Sequence, residues 1–215
     1  MKGYLSLRSW LNTIKMVQKA MVINNIIKYL IFFDFVTVSS WGLISPIFAI
    51  FVTQQILNGS LKVVGFSSAL YMVSFSLARL ISAYTVDRKL NDKQRIILSA
   101  LGSILIGMTS LFYLFAQLPS HVYLLQALNG AGFGLRYSPF MNLFTRYIDK
   151  GLESFEWGLN AVSVSLGQAA TAAVGGVLAE KYGFKVVFLL VGVFTLLGSS
   201  IPFVIYKNIT QNKSF

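Results

Sequence analysis

The chain has 215 residues, of which 55% are hydrophobic and only 12% charged, and its formal net charge is +11. Soluble domains carry about 25% charged residues, so this composition excludes a soluble globular protein. Stretches without Asp, Glu, Lys or Arg cover residues 35–61, 63–78, 96–135, 157–179 and 186–206. A bilayer core requires about 20 such residues per helix, so the sequence predicts an all-α integral membrane protein.

Residues 1–27 are predicted to form a basic amphipathic segment ahead of the membrane spans. Apolar residues recur there at helical spacing, and the opposite face carries Arg8, Asn12, Lys15 and Lys19. The pattern favours an interfacial helix in the headgroup region of an anionic leaflet. A plain basic extension of the first span is the alternative. Since the segment lacks the apolar core and cleavage site of a signal peptide, we expect it to remain on the chain.

Hydropathy, with breaks at charges, Gly and Pro, predicts a six-helix transmembrane domain over residues 28–206. The six spans lie at about 28–51, 62–85, 95–117, 121–146, 156–179 and 185–206. Lysine and arginine are concentrated in the connectors on one side of the membrane, which marks that side as cytoplasmic. Both termini are therefore expected to face the cytoplasm, with 207–215 as a tail, in a plasma (inner) membrane.

The two halves of this domain resemble each other at a fixed offset. A shift of 93 residues places 46-PIFAIF-51 on 139-PFMNLF-144 and Asp87-Arg88 on Glu180-Lys181. The sequence thus predicts a 3+3 inverted repeat, although chance similarity between apolar segments is an alternative. Repeats of this kind are typical of secondary transporters, in which interrupted helices at equivalent positions line the substrate site. Spans 1 and 4 are therefore expected to line a cavity.

Three charged residues, Asp34, Arg79 and Arg136, lie inside the predicted spans. Each costs about 2.5–3.5 kcal/mol at a helix centre on insertion scales, which makes it a functional candidate. In one interpretation Asp34 titrates or changes partner, and Arg136 holds an anionic or carboxylate-bearing substrate. In the other, Asp34 pairs permanently with Arg79 or Arg136, and Arg79 extends to the cytoplasmic interface. Further polar candidates on spans 1 and 4 are Ser40, Asn129 and Tyr137.

Small residues recur every four positions in the fifth span, at Ser163, Gly167, Thr171, Gly175 and Ala179. Such a stripe permits close helix packing in a membrane. It is expected to pack either within the bundle or at a dimer contact.

The loop 83-AYTVDRKLNDKQR-95 resembles the pattern G-x-x-x-D-R-x-G-R-K that the major facilitator superfamily carries between its second and third helices. Asp87 and Arg88 match the acid and first base, whereas Ala83 replaces the glycine and Leu90-Asn91 replace the later Gly-Arg. The stretch 167-GQAATAAVGGVLAEKYGFKVVF-188 is similar to the glycine-rich fifth helix of that family. Over residues 28–206 the chain resembles one six-helix half, the N-terminal one.

This resemblance implies a half-size secondary transporter that moves a small solute by alternating access. Members of the family usually have twelve helices in two halves with the substrate between them, so a homodimer or a partner half is expected. Asp87, Arg88 and Arg146 would form the cytoplasmic gate, with Arg146 bridging to Asp87. A solvated loop in which Asp149 caps the fifth span is the alternative at that end. A non-transporting subunit that binds another membrane protein is the alternative function.

Nothing in the sequence indicates an enzyme. The single histidine, His121, has no cysteine or carboxylate pair near it, and neither a metal-ligand spacing nor a nucleophile–base pair is present. We therefore expect no catalytic residue, metal or cofactor. The positive charge lies at the membrane surface, so no nucleic-acid partner is expected.

Overall fold

The computed structural model describes residues 23–212. The interfacial helix predicted within 1–27 lies almost entirely outside the described residues. At its end, the Asn24 side chain accepts hydrogen bonds from the N–H groups of Ile26 and Ile27 and caps the first helix. The helices in chain order are α1 (Asn25–Gly42), α2 (Phe48–Gln55), α3 (Leu61–Lys89), α4 (Asp92–Phe112), α5 (Pro119–Tyr147), α6 (Glu153–Tyr182), α7 (Phe184–Gly198) and α8 (Ile201–Asn212).

Proline and glycine explain several of these boundaries. Pro46 lies in a short 3₁₀ helix, Ser45–Ile47, that separates α1 from α2 within the first span. Pro119 starts α5 at a position where its missing N–H is not needed. Gly183, with φ of +82°, ends α6 and allows α7 to begin at the next residue.

Within the described residues, five segments are long and apolar enough to cross a membrane: Asn25–Gln55, Leu61–Lys89, Asp92–Phe115, Glu153–Tyr182 and Phe184–Lys207. They correspond to predicted spans 1, 2, 3, 5 and 6. Predicted span 4 is α5, which has 29 residues but is not among the five. Its lower hydropathy has a structural cause, since α5 buries Gln126, Asn129, Arg136 and Ser138 inside the bundle.

The helices pack in two groups. In the first, α1 contacts α6, α7 and α8; in the second, α5 contacts α3 and α4. The groups are joined mainly where α4 contacts α7 and α8. Two hydrophobic clusters fill opposite ends of the bundle. The Tyr113 cluster includes Phe48, Phe51, Tyr113, Val122 and Phe188. The Phe144 cluster includes Ile27, Phe33, Ile96, Phe140, Phe144 and Ile205.

Close helix contacts depend on small residues. A Cβ at Gly130 of α5 would overlap the carbonyl oxygen of Tyr71 on α3, and one at Gly134 would lie 2.7 Å from the nitrogen of Arg79. In the stripe of the fifth span, Thr171 donates to the carbonyl of Ser39 on α1 at 2.7 Å, and Gly167 faces the same serine. The stripe therefore packs within the bundle.

Gly130→Ala is expected to lower the stability of the folded protein by about 1–3 kcal/mol, because the added methyl group overpacks the contact between α3 and α5. Thermal unfolding in one detergent, followed by circular dichroism, measures the change.

The matched control is Gly65→Ala in α3, where an added Cβ meets nothing within 4 Å. There the greater helix propensity of alanine leaves stability unchanged or raises it by up to about 1 kcal/mol. Equal effects of the two substitutions would contradict the close packing of α3 against α5.

Candidate functional site

A buried ion pair joins the two groups of helices near the middle of the bundle. Arg136 on α5 is 1% exposed and Asp34 on α1 is 6% exposed. The Nη2 of Arg136 donates to Oδ1 of Asp34. Asn160 on α6 donates from Nδ2 to the second carboxylate oxygen of Asp34 at 2.9 Å. One carboxylate thus connects α1, α5 and α6.

Two aromatic rings flank the guanidinium group of Arg136. Its Cζ lies 4.6 Å from the ring centroid of Phe33 and 5.6 Å from that of Phe140, within the range of cation–π attraction. Arginine does not lose its proton in proteins, so the pair is neutral only while Asp34 is ionised. Loss of the contact with Asp34 would leave a buried cation beside the two rings.

Local sequence explains how Arg136 reaches this position. Gly102 allows α4 to approach the backbone, since a Cβ there would lie 2.6 Å from the nitrogen of Arg136. Three residues further on, Pro139 lies inside α5 and has no N–H for the carbonyl of Leu135. The hydroxyl of Ser82 on α3 donates to that carbonyl at 3.4 Å. The neighbouring helices therefore stabilise α5 where the proline weakens it.

Arg79, the third charge inside the spans, does not contact Asp34. It is exposed on α3, and its Cζ lies 4.3 Å from the ring centroid of Tyr137 and 5.7 Å from that of Phe75. Within the described part of the chain no carboxylate forms an ion pair with it. The sequence leaves two arginines as possible partners of Asp34. The structure pairs Asp34 with Arg136, and Arg79 remains a cation on the bundle surface.

A row of aromatic side chains crosses the surface formed by α1, α3 and α5. We call it the aromatic row: it consists of Trp41, Phe133, Tyr71, Phe75 and Tyr137. Neighbouring ring centroids along it lie 6.1, 6.2, 6.2 and 6.3 Å apart. Because Arg79 lies against its last two rings, the row ends beside the unpaired cation.

Polar cavities lie at the two ends of the aromatic row. The first, of about 350 Å³, is lined by Asn129, Gln126 and Gln168 together with Trp41 and Tyr71. Asn129 is 1% exposed, and its Oδ1 has no hydrogen-bond partner among the described residues. The second cavity, of about 290 Å³, is lined by Arg79, Asp87, Tyr137, Ser138, Asn142 and Thr145, among others. The row therefore connects an amide-lined end to a charged end.

Ser40 lies apart from these residues. Its hydroxyl donates to the carbonyl of Val36 in the same helix at 2.6 Å. The cavity that it lines, of about 420 Å³, is almost wholly apolar and lies between α1, α6 and α7. The structure thus brings Asn129, Tyr137 and Arg79 to one surface, Asp34 and Arg136 to the buried pair, and Ser40 to neither.

The predicted bridge between Arg146 and Asp87 is wrong. Arg146 Nη1 lies 3.2 Å from Oδ1 of Asp92 in the first turn of α4. Asp87 instead accepts a hydrogen bond from Nδ2 of Asn142 at 2.9 Å. The reason is geometric: Asn142 lies one helical turn before Arg146 on α5 and faces the end of α3, whereas Arg146 reaches across to α4.

The other loop residues have different partners from those expected. The guanidinium carbon of Arg88 lies 5.0 Å from the ring centroid of Tyr84 in its own helix. Asp149 accepts from the N–H of Asn24 at 3.1 Å, while Leu152 is the N-cap residue of α6. Asp149 therefore ties the start of α1 to this end of the bundle instead of capping α6.

Sequence reasoning missed Asn160, Asn142 and Asp92. Asn160 is one of only two amide side chains in the charge-free stretch 157–179, a signal that marks it as a partner for a buried charge. Asp92 lies three residues before Arg95, whose Nη1 it also binds at 2.9 Å. That i,i+3 spacing is visible in the sequence. No feature of the sequence alone indicates the contact between Asn142 and Asp87.

A bundle of apolar helices that buries a charged pair at membrane depth is typical of a multi-pass membrane protein, in which such a pair marks a candidate functional site. The sequence profile of the Major Facilitator Superfamily matches residues 30–214. Since the match covers most of the chain, the protein belongs to this family of membrane transporters. No curated protein matches the chain.

Asp34→Asn is expected to destabilise the protein by about 3–5 kcal/mol, because it leaves the charge of Arg136 buried and uncompensated. The double variant Asp34→Asn with Arg136→Gln removes both charges and should recover at least half of that loss. Thermal unfolding of the single and double variants in one detergent measures the coupling. Strict additivity of the two substitutions would show that the pair does not stabilise the fold.

Proposed function

We propose that the chain is one six-helix half of a secondary transporter that moves a small solute across the plasma (inner) membrane by alternating access. The observation that carries the proposal is the aromatic row, which ends beside the unpaired Arg79. An exposed cation is costly against lipid, and a buried amide oxygen without a partner among the described residues, such as that of Asn129, is costly inside the bundle. They suit the wall of a water-filled pathway, where intramembrane charges mark the route of a substrate or ion.

The helix packing supports the 3+3 inverted repeat. The first span, α1 with α2, packs on the fifth and sixth; the fourth span, α5, packs on the second and third. If spans 1, 2 and 3 are exchanged with spans 4, 5 and 6, the contacts of the first span become those of the fourth. The contact between α4, which is span 3, and α7, which belongs to span 6, is unchanged by this exchange. Pseudo-symmetry of this kind is typical of secondary transporters, whose substrate site lies at the repeat interface.

A second six-helix unit would complete the pathway. The aromatic row lies on the bundle surface and forms one wall only. A second copy, related by a two-fold axis along the membrane normal, or a partner half would supply the opposite wall. In this arrangement both termini face the cytoplasm, where the positive charge of the connectors favours them.

The buried pair of Asp34 and Arg136 and the exposed cation of Arg79 would have different roles in transport. Arg79, with Tyr137, would bind an anionic or carboxylate-bearing solute, since its guanidinium has no ion-pair partner among residues 23–212 and can make a bidentate contact. Asn129 would hydrogen-bond the other end of the solute. Asp34 would change its contact with the guanidinium of Arg136 as access alternates, since this pair joins the two groups of helices.

The cytoplasmic gate would involve the contacts between the ends of α3, α4 and α5. Asp87 accepts a hydrogen bond from Asn142, and Arg146 forms an ion pair with Asp92. Arg88 lies next to Asp87 at the end of α3. Opening toward the cytoplasm would require these contacts to separate. In the ion pair, Arg146 is exposed whereas Asp92 is largely covered, and a partly exposed pair contributes modest stability, which suits an element that opens and closes.

Arg79→Gln is expected to reduce uptake of a carboxylate-bearing substrate at least tenfold, whereas Arg79→Lys should retain more activity because it keeps the charge without the bidentate fork. Proteoliposomes would be screened with radiolabelled monocarboxylates and dicarboxylates, beside neutral amides of the same size. The initial rate of uptake is the readout.

Lys62→Gln is the matched control, because Lys62 is also an exposed cation near a ring, 6.0 Å from the centroid of Phe66, but lies off the aromatic row. Unchanged uptake in Arg79→Gln would rule out its role as the anion contact.

A strict monomer in nanodiscs that takes up none of these solutes would favour the alternative, a non-transporting subunit that binds another membrane protein.

A further inference from the structure

A cavity of about 720 Å³ lies at the end of the bundle filled by the Tyr113 cluster. It is bounded by α2, the end of α4, the end of α6 and the start of α7. Its volume is within the range that holds drug-sized ligands, about 300–1,000 Å³. None of its lining residues lines the two cavities of the aromatic row. It is therefore a separate site.

Aromatic side chains line this cavity, and one of them, Tyr113, has an unsatisfied polar atom. Tyr113 and Phe188 are each 1% exposed, with ring centroids 4.7 Å apart, and Phe51 lies 4.8 Å from Phe188. The hydroxyl of Tyr113 has no hydrogen-bond partner among the described residues. A buried hydroxyl nearly always has a partner. A polar atom of an occupant would provide one.

The rim of the cavity carries one charge of each sign. Glu180, at the end of α6, and Lys185, in the first turn of α7, are both exposed. Neither forms an ion pair within the described residues. The N-cap of α7 is Gly183, which offers no side chain to the first N–H groups of this 15-residue helix. Lys185 and the positive end of α7 together attract an acid group, and Glu180 attracts an ammonium group.

We propose that this cavity binds a small amphipathic zwitterion. Its acid group would lie at Lys185 and the start of α7, and its ammonium group at Glu180. Its apolar body would cover Phe51 and Phe188, with a polar atom within reach of the Tyr113 hydroxyl. A ligand with one charge would leave one of the two rim charges unused. The site lies at the opposite end of the bundle from the residues proposed for the cytoplasmic gate.

The test uses the full chain in nanodiscs and a cysteine placed at the rim. The sequence contains no cysteine, so Gln117→Cys takes a single environment-sensitive maleimide fluorophore. The probes are the dipeptide of two phenylalanines, its N-acetylated form and its C-terminal amide, which share one apolar body. We expect the zwitterionic dipeptide to bind at least tenfold more tightly than either singly charged form, because it alone makes both rim contacts; a tenfold change corresponds to about 1.4 kcal/mol.

Substitutions assign the contacts. Glu180→Gln should reduce dipeptide affinity about tenfold and leave the N-acetylated form unchanged. Lys185→Gln should also reduce the affinity for the dipeptide about tenfold and leave the affinity for the C-terminal amide unchanged. Lys181→Gln, at a neighbouring lysine, should change neither of these two affinities. Tyr113→Phe should weaken all three probes severalfold without lowering the thermal stability, because the hydroxyl it removes has no partner in the fold.

Three results would overturn the proposal. The first is equal binding of the three probes. The second is loss of binding in Arg79→Gln, which would assign the signal to the aromatic row. The third is a fluorescence change that depends on phosphatidylethanolamine or phosphatidylglycerol in the nanodisc and prevents dipeptide binding, which would assign the cavity to a lipid headgroup.

Discussion

The ion pair between Asp34 and Arg136 is the contact on which the arrangement of the bundle depends. A buried guanidinium group is tolerated only with a carboxylate, further hydrogen bonds and a polarisable surrounding. Here Asp34 and the rings of Phe33 and Phe140 contact the guanidinium group of Arg136, and Asn160 donates to the second carboxylate oxygen of Asp34. Because the partners come from α1, α5 and α6, the pair requires both groups of helices to lie in one register.

That register determines which residues reach the surface. With Arg136 turned inward, its neighbour Tyr137 faces α3 and supports the guanidinium of Arg79. The aromatic row then runs along α1, α3 and α5, between a cavity lined by amides and a cavity lined by charges. The buried pair can therefore influence the aromatic row through α5. The backbone hydrogen bonds of this helix are interrupted at Pro139, and Ser82 of α3 donates to the carbonyl group that the proline leaves without a partner.

Much of this fold was predictable because helix length and hydropathy are local properties. The spans corresponding to α1 with α2, α3, α4, α6 and α7 follow from charge-free stretches, and Pro46 and Gly183 mark real interruptions. The similar depth of Asp34 and Arg136 follows from counting residues along the spans. Which arginine pairs with Asp34 does not follow, because the direction of a side chain around its helix depends on packing.

The error at the ends of α3 and α5 has the same origin. Arg146 and Asp87 both lie near the ends of their helices, and sequence shows their proximity but not the direction of each side chain. In the structure, Arg146 reaches Asp92, which also binds Arg95. Asn160 was overlooked because a neutral amide in an apolar span carries no charge signal, although it completes the coordination of Asp34.

The central claim is that the Asp34–Arg136 pair controls which end of the aromatic row is open. The cysteine-free chain allows single reporters at Ser68→Cys and Thr145→Cys, which are exposed residues lining the two cavities. Maleimide labelling rates in nanodiscs are then compared with and without the double substitution Asp34→Asn with Arg136→Gln, which breaks the pair without leaving a buried charge. The account predicts that breaking the pair raises labelling at one position and lowers it at the other. A rise at both, or no change at either, would contradict it.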